Sequence, residues 1–360
     1  MEKNKKQKTA VICLSRVNGG MELASVKLAR LLSQDVEVEF IGRDNSYILG
    51  RKEHFDGYNI KLHTVEFPFN FSIQLIFKVR KILKENNIKN IIYLGASEMK
   101  SLYFSTLGLD INFIIRQGSK KTTPKKDFFH KLFYSSTKHF VGNCEYIKQN
   151  IIKILPIPKN ADVKRIYSSL KLEENIDFKQ TNGHIDLIHV GRINKGKGQF
   201  EAIKVCEVLK EKNIPFTLRL LGNVQDSSYL ESMKKYLKNS YLKENVEFID
   251  YTPNVRDYLQ KSDIFIFPSL GEGMSNAIIE SLGFGLIPII YDDTSSSEFK
   301  DLGFHIHLTK ENNIENLKEA LLKVVNNFEK EKKKAKDNHE KALEIFNPQR
   351  EKKEYLELLV

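Results

Sequence analysis

Three cations and two carboxylates stand at spacings that could do chemistry. In "HVGRINKGKGQFEA", Arg192, Lys195 and Lys197 crowd one short glycine-rich loop after an apolar run. Arginine offers a planar fork of donors and lysine a mobile point charge, so with bare glycine backbone they can hold a diphosphate. The same residues would also make a basic surface turn. In "DIFIFPSLGEGMSNAIIESLGFG", seven residues separate Glu272 from Glu280. If a helix begins near Asn276, at about 100° per residue Ile278, Ile279 and Leu282 share one face. Asn276 and Glu280 share the opposite face, where an ordinary solvated acid would also sit. The backbone of Gly273, Met274, Ser275 and Asn276 would present unpaired N–H groups at the helix start, with Ser275 or Asn276 as N-cap. A hydroxyl-binding Glu272, amides free for anionic oxygens and a nearby Glu280 suit a sugar joined to phosphate.

Other candidates are thinner. Gly19 and Gly20 follow the first apolar run and open a helical pattern, which permits close approach of a ligand but also serves a plain strand-to-helix turn. Neither G-x-G-x-x-G nor G-x-x-x-x-G-K-[ST] occurs, so no nicotinamide, flavin or P-loop nucleotide site is expected. "QGSKKTTPKKDFFHKLFY" sets Lys120, Lys121, Lys125 and Lys126 beside Phe128, Phe129, Phe133 and Tyr134. This reads as a solvated loop entering an amphipathic helix, or as an edge facing anionic lipid or a lipid-linked acceptor. Asp292 and Asp293 are adjacent acids, the nine histidines show no H-E-x-x-H or other ligand spacing, and no metal is expected. Cys13, Cys144 and Cys206 are far apart, which suggests neither zinc nor disulfides and fits a reducing cytoplasm.

These residues need a scaffold, and the chain supplies one twice. Short β-rich runs alternate with helical stretches from "TAVICLS" (9–15) through "HFVGN" (139–143) to "VKRIYS" (163–168). The polar, aperiodic "KLEENIDFKQTNGH" (171–184) reads as a linker. Alternation then restarts at "IDLIHVG" (185–191) and continues to "LIPIIY" (286–291). Such alternation implies right-handed βαβ units and parallel sheets, with ligands beyond the carboxyl ends of the strands. The expected fold class is α/β: two doubly wound, Rossmann-like domains facing a cleft. Their bounds are 1–170, a linker at 171–184, and 185–345. A final helix follows at 346–360, after the break at Asn347-Pro348.

Composition bounds the function classes. The 360 residues carry 41% hydrophobic and 29% charged residues, ordinary for a folded domain pair. There is no run of eighteen apolar residues to span a membrane. The basic start, "MEKNKKQKTAVICLS", has too short an apolar part for a signal peptide. The net charge of +11 is spread along the chain, without zinc-finger spacing or an RRM-like aromatic signature, so nucleic acid is not the expected partner.

Taken in order, "GGMELASVKLARLL", "HVGRINKGKGQFEAIK" and "VEFIDYTPNVRDYLQKSDIFIFPSLGEGMSNAIIESLGFGLIPII" resemble the GT-B glycosyltransferases of the large retaining family 4. The resemblance implies that Arg192 and Lys197 bind the donor diphosphate and stabilise the leaving group. Glu272 would contact donor-sugar hydroxyls, with the amides of Gly273, Met274, Ser275 and Asn276. Glu280 would bind the nucleotide ribose, and Gly19 and Gly20 would line the other side of the cleft. It further implies retention of configuration, no cofactor and no bound metal, and a final helix that crosses back onto the first domain. The expected donor is a UDP- or GDP-sugar. The expected acceptor is a glycan or lipid-linked glycan of bacterial polysaccharide or lipopolysaccharide assembly. The setting would be the cytoplasm, peripheral to the inner face of the membrane. One departure stands out: "FIIRQGS" carries Arg116-Gln117-Gly118 where many members have a histidine. Gln117, with Lys120 and Lys121, is assigned to the acceptor side. A nucleotide-sugar epimerase of related fold and a non-catalytic nucleotide-sugar-binding member are the alternatives.

Overall fold

The computed structural model describes residues 8–180 and 182–360. Residues 1–7, at the start of the segment to which the signal-peptide expectation applies, and Thr181, inside the expected linker, lie outside them. The chain forms two compact units. One runs to Ser168 and takes in Pro348–Val360, and the other is Ser169–Asn347.

The first unit is built on seven strands: β1 (Thr9–Cys13), β2 (Val38–Arg43), β3 (Ile60–Val65), β4 (Asn90–Leu94), β5 (Asn112–Gln117), β6 (Thr137–Gly142) and β7 (Asp162–Arg165). They pair in the order β3-β2-β1-β4-β5-β6-β7, every neighbour parallel. Strands β1, β4 and β5 are buried along their whole length, as a sheet covered by helices on both faces requires. The core beneath β1 is closed by the helix Gly20–Leu32 and by Tyr355 and Leu358 from the end of the chain. The helix Pro348–Leu356 is fixed there by an ion pair between Lys27 Nζ and the buried Glu351, 2.8 Å long. The Asn112 side chain also donates to the Leu358 carbonyl at 2.7 Å.

The second unit repeats the plan with β8 (Ile185–Val190), β9 (Phe216–Leu221), β10 (Val246–Ile249), β11 (Ile264–Phe267), β12 (Ile287–Tyr291) and β13 (His307–Thr309). The order is β10-β9-β8-β11-β12-β13, again parallel throughout. The polar stretch after Ser169 packs on this unit. Leu172 lies against Gly283, the Phe178 ring stands 5.8 Å from His339, and Lys179 bonds Asp186 at 2.5 Å. Lys179 also meets Asp263, whose other oxygen takes Lys332 at 2.6 Å, while Arg219 reaches Asp186 at 2.8 Å. This ionic cluster ties the amino ends of β8 and β11 to the helix Phe328–Ile345. It stands at the opposite end of the strands from the loops described next.

Candidate functional site

In the second unit, two loops at the carboxyl ends of β8 and β11 converge. After β8 the chain passes Arg192 and makes a single 3-10 turn, Lys195–Lys197. After β11 it passes Pro268 and Ser269 to reach Glu272. The loops touch because Gly198 permits it. Its φ is +73°, and a Cβ there would stand 2.1 Å from the Pro268 carbonyl oxygen. Leu270 N–H donates to the Gly196 carbonyl at 2.9 Å, a second tie between the loops.

Lys197 Nζ bonds Glu272 Oε1, and both side chains keep 21% of their surface. Ser269 Oγ donates to the same carboxylate oxygen at 2.7 Å. Arg192 is exposed, with no hydrogen bond or ion pair of its guanidinium among the described residues. An arginine held at a strand end without a partner is a cation available to a ligand. A lysine paired to a carboxylate in the same place is a cation with a fixed position.

His189, unnoticed in the sequence, holds that lysine from behind. It is fully buried on β8, its Nε2–H donates to the Lys197 carbonyl at 2.7 Å, and its ring lies 5.1 Å from Phe267. Burial pushes the imidazole down to about 4, so it is neutral at physiological pH. Gln199, also fully buried, donates to the Arg192 carbonyl at 3.0 Å.

The loop after β12 completes the brace. Asp293 accepts from Gly271 N–H, Thr294 Oγ1 donates to the Glu272 carbonyl, and Ser295 Oγ donates to the Gly273 carbonyl at 2.8 Å. Thr294 sits at φ +52°, a left-handed conformation unusual for a β-branched residue. The adjacent acids Asp292 and Asp293 therefore include one that braces the Glu272 loop.

The helix Asn276–Gly283 begins where the sequence predicts. Ser275 occupies the N-cap, but its side chain makes no capping bond, contrary to the expected use of a hydroxyl there. Met274 and Ser275 are buried and Asn276 is exposed. Glu280 differs from a solvated acid. It is partly buried, its carboxyl has no hydrogen-bond partner among the described residues, and burial raises it to about 7 against the pull of Arg256. Glu298, on the helix Ser296–Asp301, is buried.

In the first unit, Gly19 is the N-cap of the helix Gly20–Leu32 in an extended conformation that any residue adopts. A Cβ on Gly20 would meet nothing within 4 Å, so packing does not require glycine there. Gln117 ends β5 and donates to Asn150 Oδ1 at 3.1 Å. Asn150 in turn clasps the Lys121 backbone, accepting from its N–H and donating to its carbonyl, each at 2.9 Å. Gln117, Lys120, Lys121 and Lys125 line a cavity of about 230 Å³ with Tyr134 and Ile154. Burial and the nearby Lys121 and Lys100 depress the Lys125 ammonium, which marks a crowded positive rim.

The fold and the paired loops define a class. Residues 171–342 match the family model of glycosyl transferases group 1. That segment thus resembles the group 1 glycosyltransferases, and the chain has the GT-B fold. Its relatives are more particular. The chain is 27% identical over 316 residues to the capsular polysaccharide biosynthesis glycosyltransferase CapH of Staphylococcus aureus, covering 82% of this chain and 85% of that one. It is 24% identical over 322 residues to the N-acetylgalactosamine-N,N'-diacetylbacillosaminyl-diphospho-undecaprenol 4-alpha-N-acetylgalactosaminyltransferase of Campylobacter jejuni, covering 81% and 82%. Among solved structures, a glycosyltransferase from Rickettsia africae matches with a TM-score of 0.81 at 15% identity, over 98% and 97% of the two chains. Anabaena HepE in complex with UDP matches at 0.78 with 14% identity over 98% of each.

Proposed function

We propose that this glycosyltransferase moves a sugar from a nucleoside-diphosphate donor to a glycan or lipid-linked glycan with retention of configuration, in the manner of family 4. One observation carries the reading: Lys197 and Glu272 meet at the carboxyl ends of β8 and β11, with an unpaired Arg192 on the same loop as Lys197. Arg192 and Lys197 meet the negative charge that grows on the diphosphate as the anomeric C–O bond breaks. An acceptor hydroxyl oxygen forms the new bond to the anomeric carbon on the same face. Glu272 takes sugar hydroxyls, assisted by the amides of Gly273, Met274, Ser275 and Asn276, and Glu280 takes the ribose. Gly19 and Gly20 give bare backbone to the donor, and Gln117, Lys120 and Lys121 face the acceptor. The cations on these loops do the work of charge neutralisation, so the chemistry calls for no bound metal.

The HepE complexes with UDP and with UDP-glucose favour a uridine donor over a guanosine one. CapH and the Campylobacter enzyme favour bacterial surface polysaccharide and a diphospho-lipid acceptor. No helix among the described residues is long and apolar enough to cross a membrane. The first unit does expose Phe69, Phe71, Phe77, Phe128 and Phe129, each by more than half. Phe71, Phe104 and Phe133 form a chain of rings at 6.0 Å spacing that runs from Phe71 to the helix Phe128–Tyr134, which carries Phe128 and Phe129. With Lys120, Lys121, Lys125 and Lys126 close in sequence, that face suits the anionic inner leaflet of the cytoplasmic membrane.

The test is turnover with a panel of UDP- and GDP-sugars and undecaprenyl-diphosphate-linked glycans, with the product's anomeric configuration read by NMR. Transfer with retention, reduced about 100-fold or more in Arg192→Ala and Lys197→Ala, supports the reading. Near-wild-type turnover in both variants overturns the donor-site assignment. Donor binding without any transfer overturns the enzyme and leaves the non-catalytic alternative.

A further inference from the structure

Away from the paired loops, the second unit brings together three groups that sequence spacing did not connect. His305 and His307 alternate along the edge strand β13 and the residues before it, so both side chains point to one face. Glu331, in the first turn of the helix Phe328–Ile345, faces them. Its Oε2 lies 2.5 Å from His305 Nε2 and 2.8 Å from His307 Nε2, and the three ligand atoms lie within 4.8 Å of one another.

We propose that His305, His307 and Glu331 form a transition-metal site of the two-histidine, one-carboxylate type, best suited to Zn2+.

The donor set is the first argument. Two imidazole nitrogens and a carboxylate oxygen match zinc and its neighbours in the first transition row, whereas calcium and magnesium call for oxygen ligands. Geometry is the second. Zinc bonds of about 2.0–2.1 Å place tetrahedral ligands roughly 3.3 Å apart. Glu331 Oε2 therefore needs to draw back from each imidazole nitrogen by less than an ångström for an ion to enter, and rotation about its side-chain torsions supplies that.

The third argument is that the scaffold is already fixed. Asn338 is seven residues after Glu331 on the same buried helix face. Its Oδ1 accepts the His305 N–H at 2.8 Å, and its Nδ2 donates to the His305 carbonyl at 2.9 Å. Strand and helix are thus clasped beside the cluster before any ion arrives, as a preorganised site requires. Access is the fourth. The His305 side chain keeps 25% of its surface and His307 keeps 13%, so the cluster opens to solvent and leaves a position for water. Lys334 Nζ stands 3.7 Å from the other Glu331 oxygen, Oε1, leaving Oε2 to the histidines.

The site lies one strand from the brace of the Glu272 loop. Asp292 N–H donates to the Thr309 carbonyl at 2.8 Å, where β13 ends and the Asp293–Ser295 segment begins its contacts. An ion there pins β13 to the helix and stiffens the edge that carries the brace.

The experiment uses the full chain without an affinity tag, freed of metal by chelation, and titrated with Co2+ and then Zn2+. One equivalent of Co2+ should give visible d–d bands of low-coordinate cobalt, displaced by Zn2+, and Zn2+ should raise the unfolding temperature by mass action. His305→Gln and His307→Gln each retain a polar side chain, and folding is checked by circular dichroism. Each should weaken Zn2+ binding by at least about 100-fold, beyond the loss typical of an outer hydrogen-bond partner. No stoichiometric binding at micromolar Zn2+ overturns the proposal. So does full binding by the folded double variant, which would put the metal elsewhere.

Discussion

Glu280 offers a test that needs neither donor nor acceptor. Its carboxyl is raised by burial from an ordinary 4.5 to about 7. In the unfolded chain it returns to the ordinary value. The folded protein therefore holds the proton more tightly than the unfolded chain does. That stabilising contribution is fully present below pH 4.5 and is lost as pH rises through 7. At about 1.4 kcal/mol per pH unit, the gap amounts to about 3 kcal/mol. Glu280→Gln keeps the shape and removes the titration. Urea denaturation of both proteins between pH 4.5 and 8.5, without nucleotide, should show the variant gaining about 3 kcal/mol over wild type across that range. A difference that stays constant with pH would refute the reasoning and return Glu280 to an ordinary solvated acid. Adding UDP gives the second arm. If ribose hydroxyls donate to the ionised carboxylate, wild-type affinity relative to the variant rises as pH passes 7. Equal affinities at all pH values would refute the ribose contact.

Three further outcomes follow from the packing. Gly198→Ala forces a left-handed alanine against the Pro268 carbonyl, so it should cost more than about 1 kcal/mol in denaturant and lower turnover by displacing Lys197. Asp263→Ala leaves Lys179 and the buried Lys332 without their shared carboxylate. Unfolding should be easier by about 3–5 kcal/mol, while UDP affinity in calorimetry of the folded variant stays within about twofold, because the cluster sits at the far ends of the strands. Phe128→Ser with Phe129→Ser should reduce co-sedimentation with vesicles of anionic lipid and leave turnover on a water-soluble acceptor unchanged.

The alternating βαβ pattern was legible because buried parallel strands read as continuous apolar runs, as in "AVIC" and "IFIF". Strand β13 escaped notice, since three residues carry no periodicity to read. The cations and carboxylates of the paired loops were legible because glycines and strand ends flank them. Their supports were not. His189 looks like one more strand residue until its imidazole is found beneath Lys197, and Thr294 and Ser295 look like loop filler until they reach Glu272 and Gly273. Asn150 lies 33 residues from Gln117 and follows no local rule. Such contacts depend on which strands become neighbours, and one sequence does not state that. The stretch after Ser169 looks like a linker because its anchors on the second unit, Leu172, Phe178 and Lys179, follow no apolar period.

The return of residues 348–360 to the first unit has a consequence for how the protein is made. Tyr355 and Leu358 fill a core whose other members precede Ser168. A ribosome adding about 5–20 residues per second needs on the order of 10–40 s to pass through Ser169–Asn347 before that segment is made. Throughout that interval the nascent first unit carries an open apolar slot. A nascent chain stopped short of Tyr355 is a natural client for a chaperone.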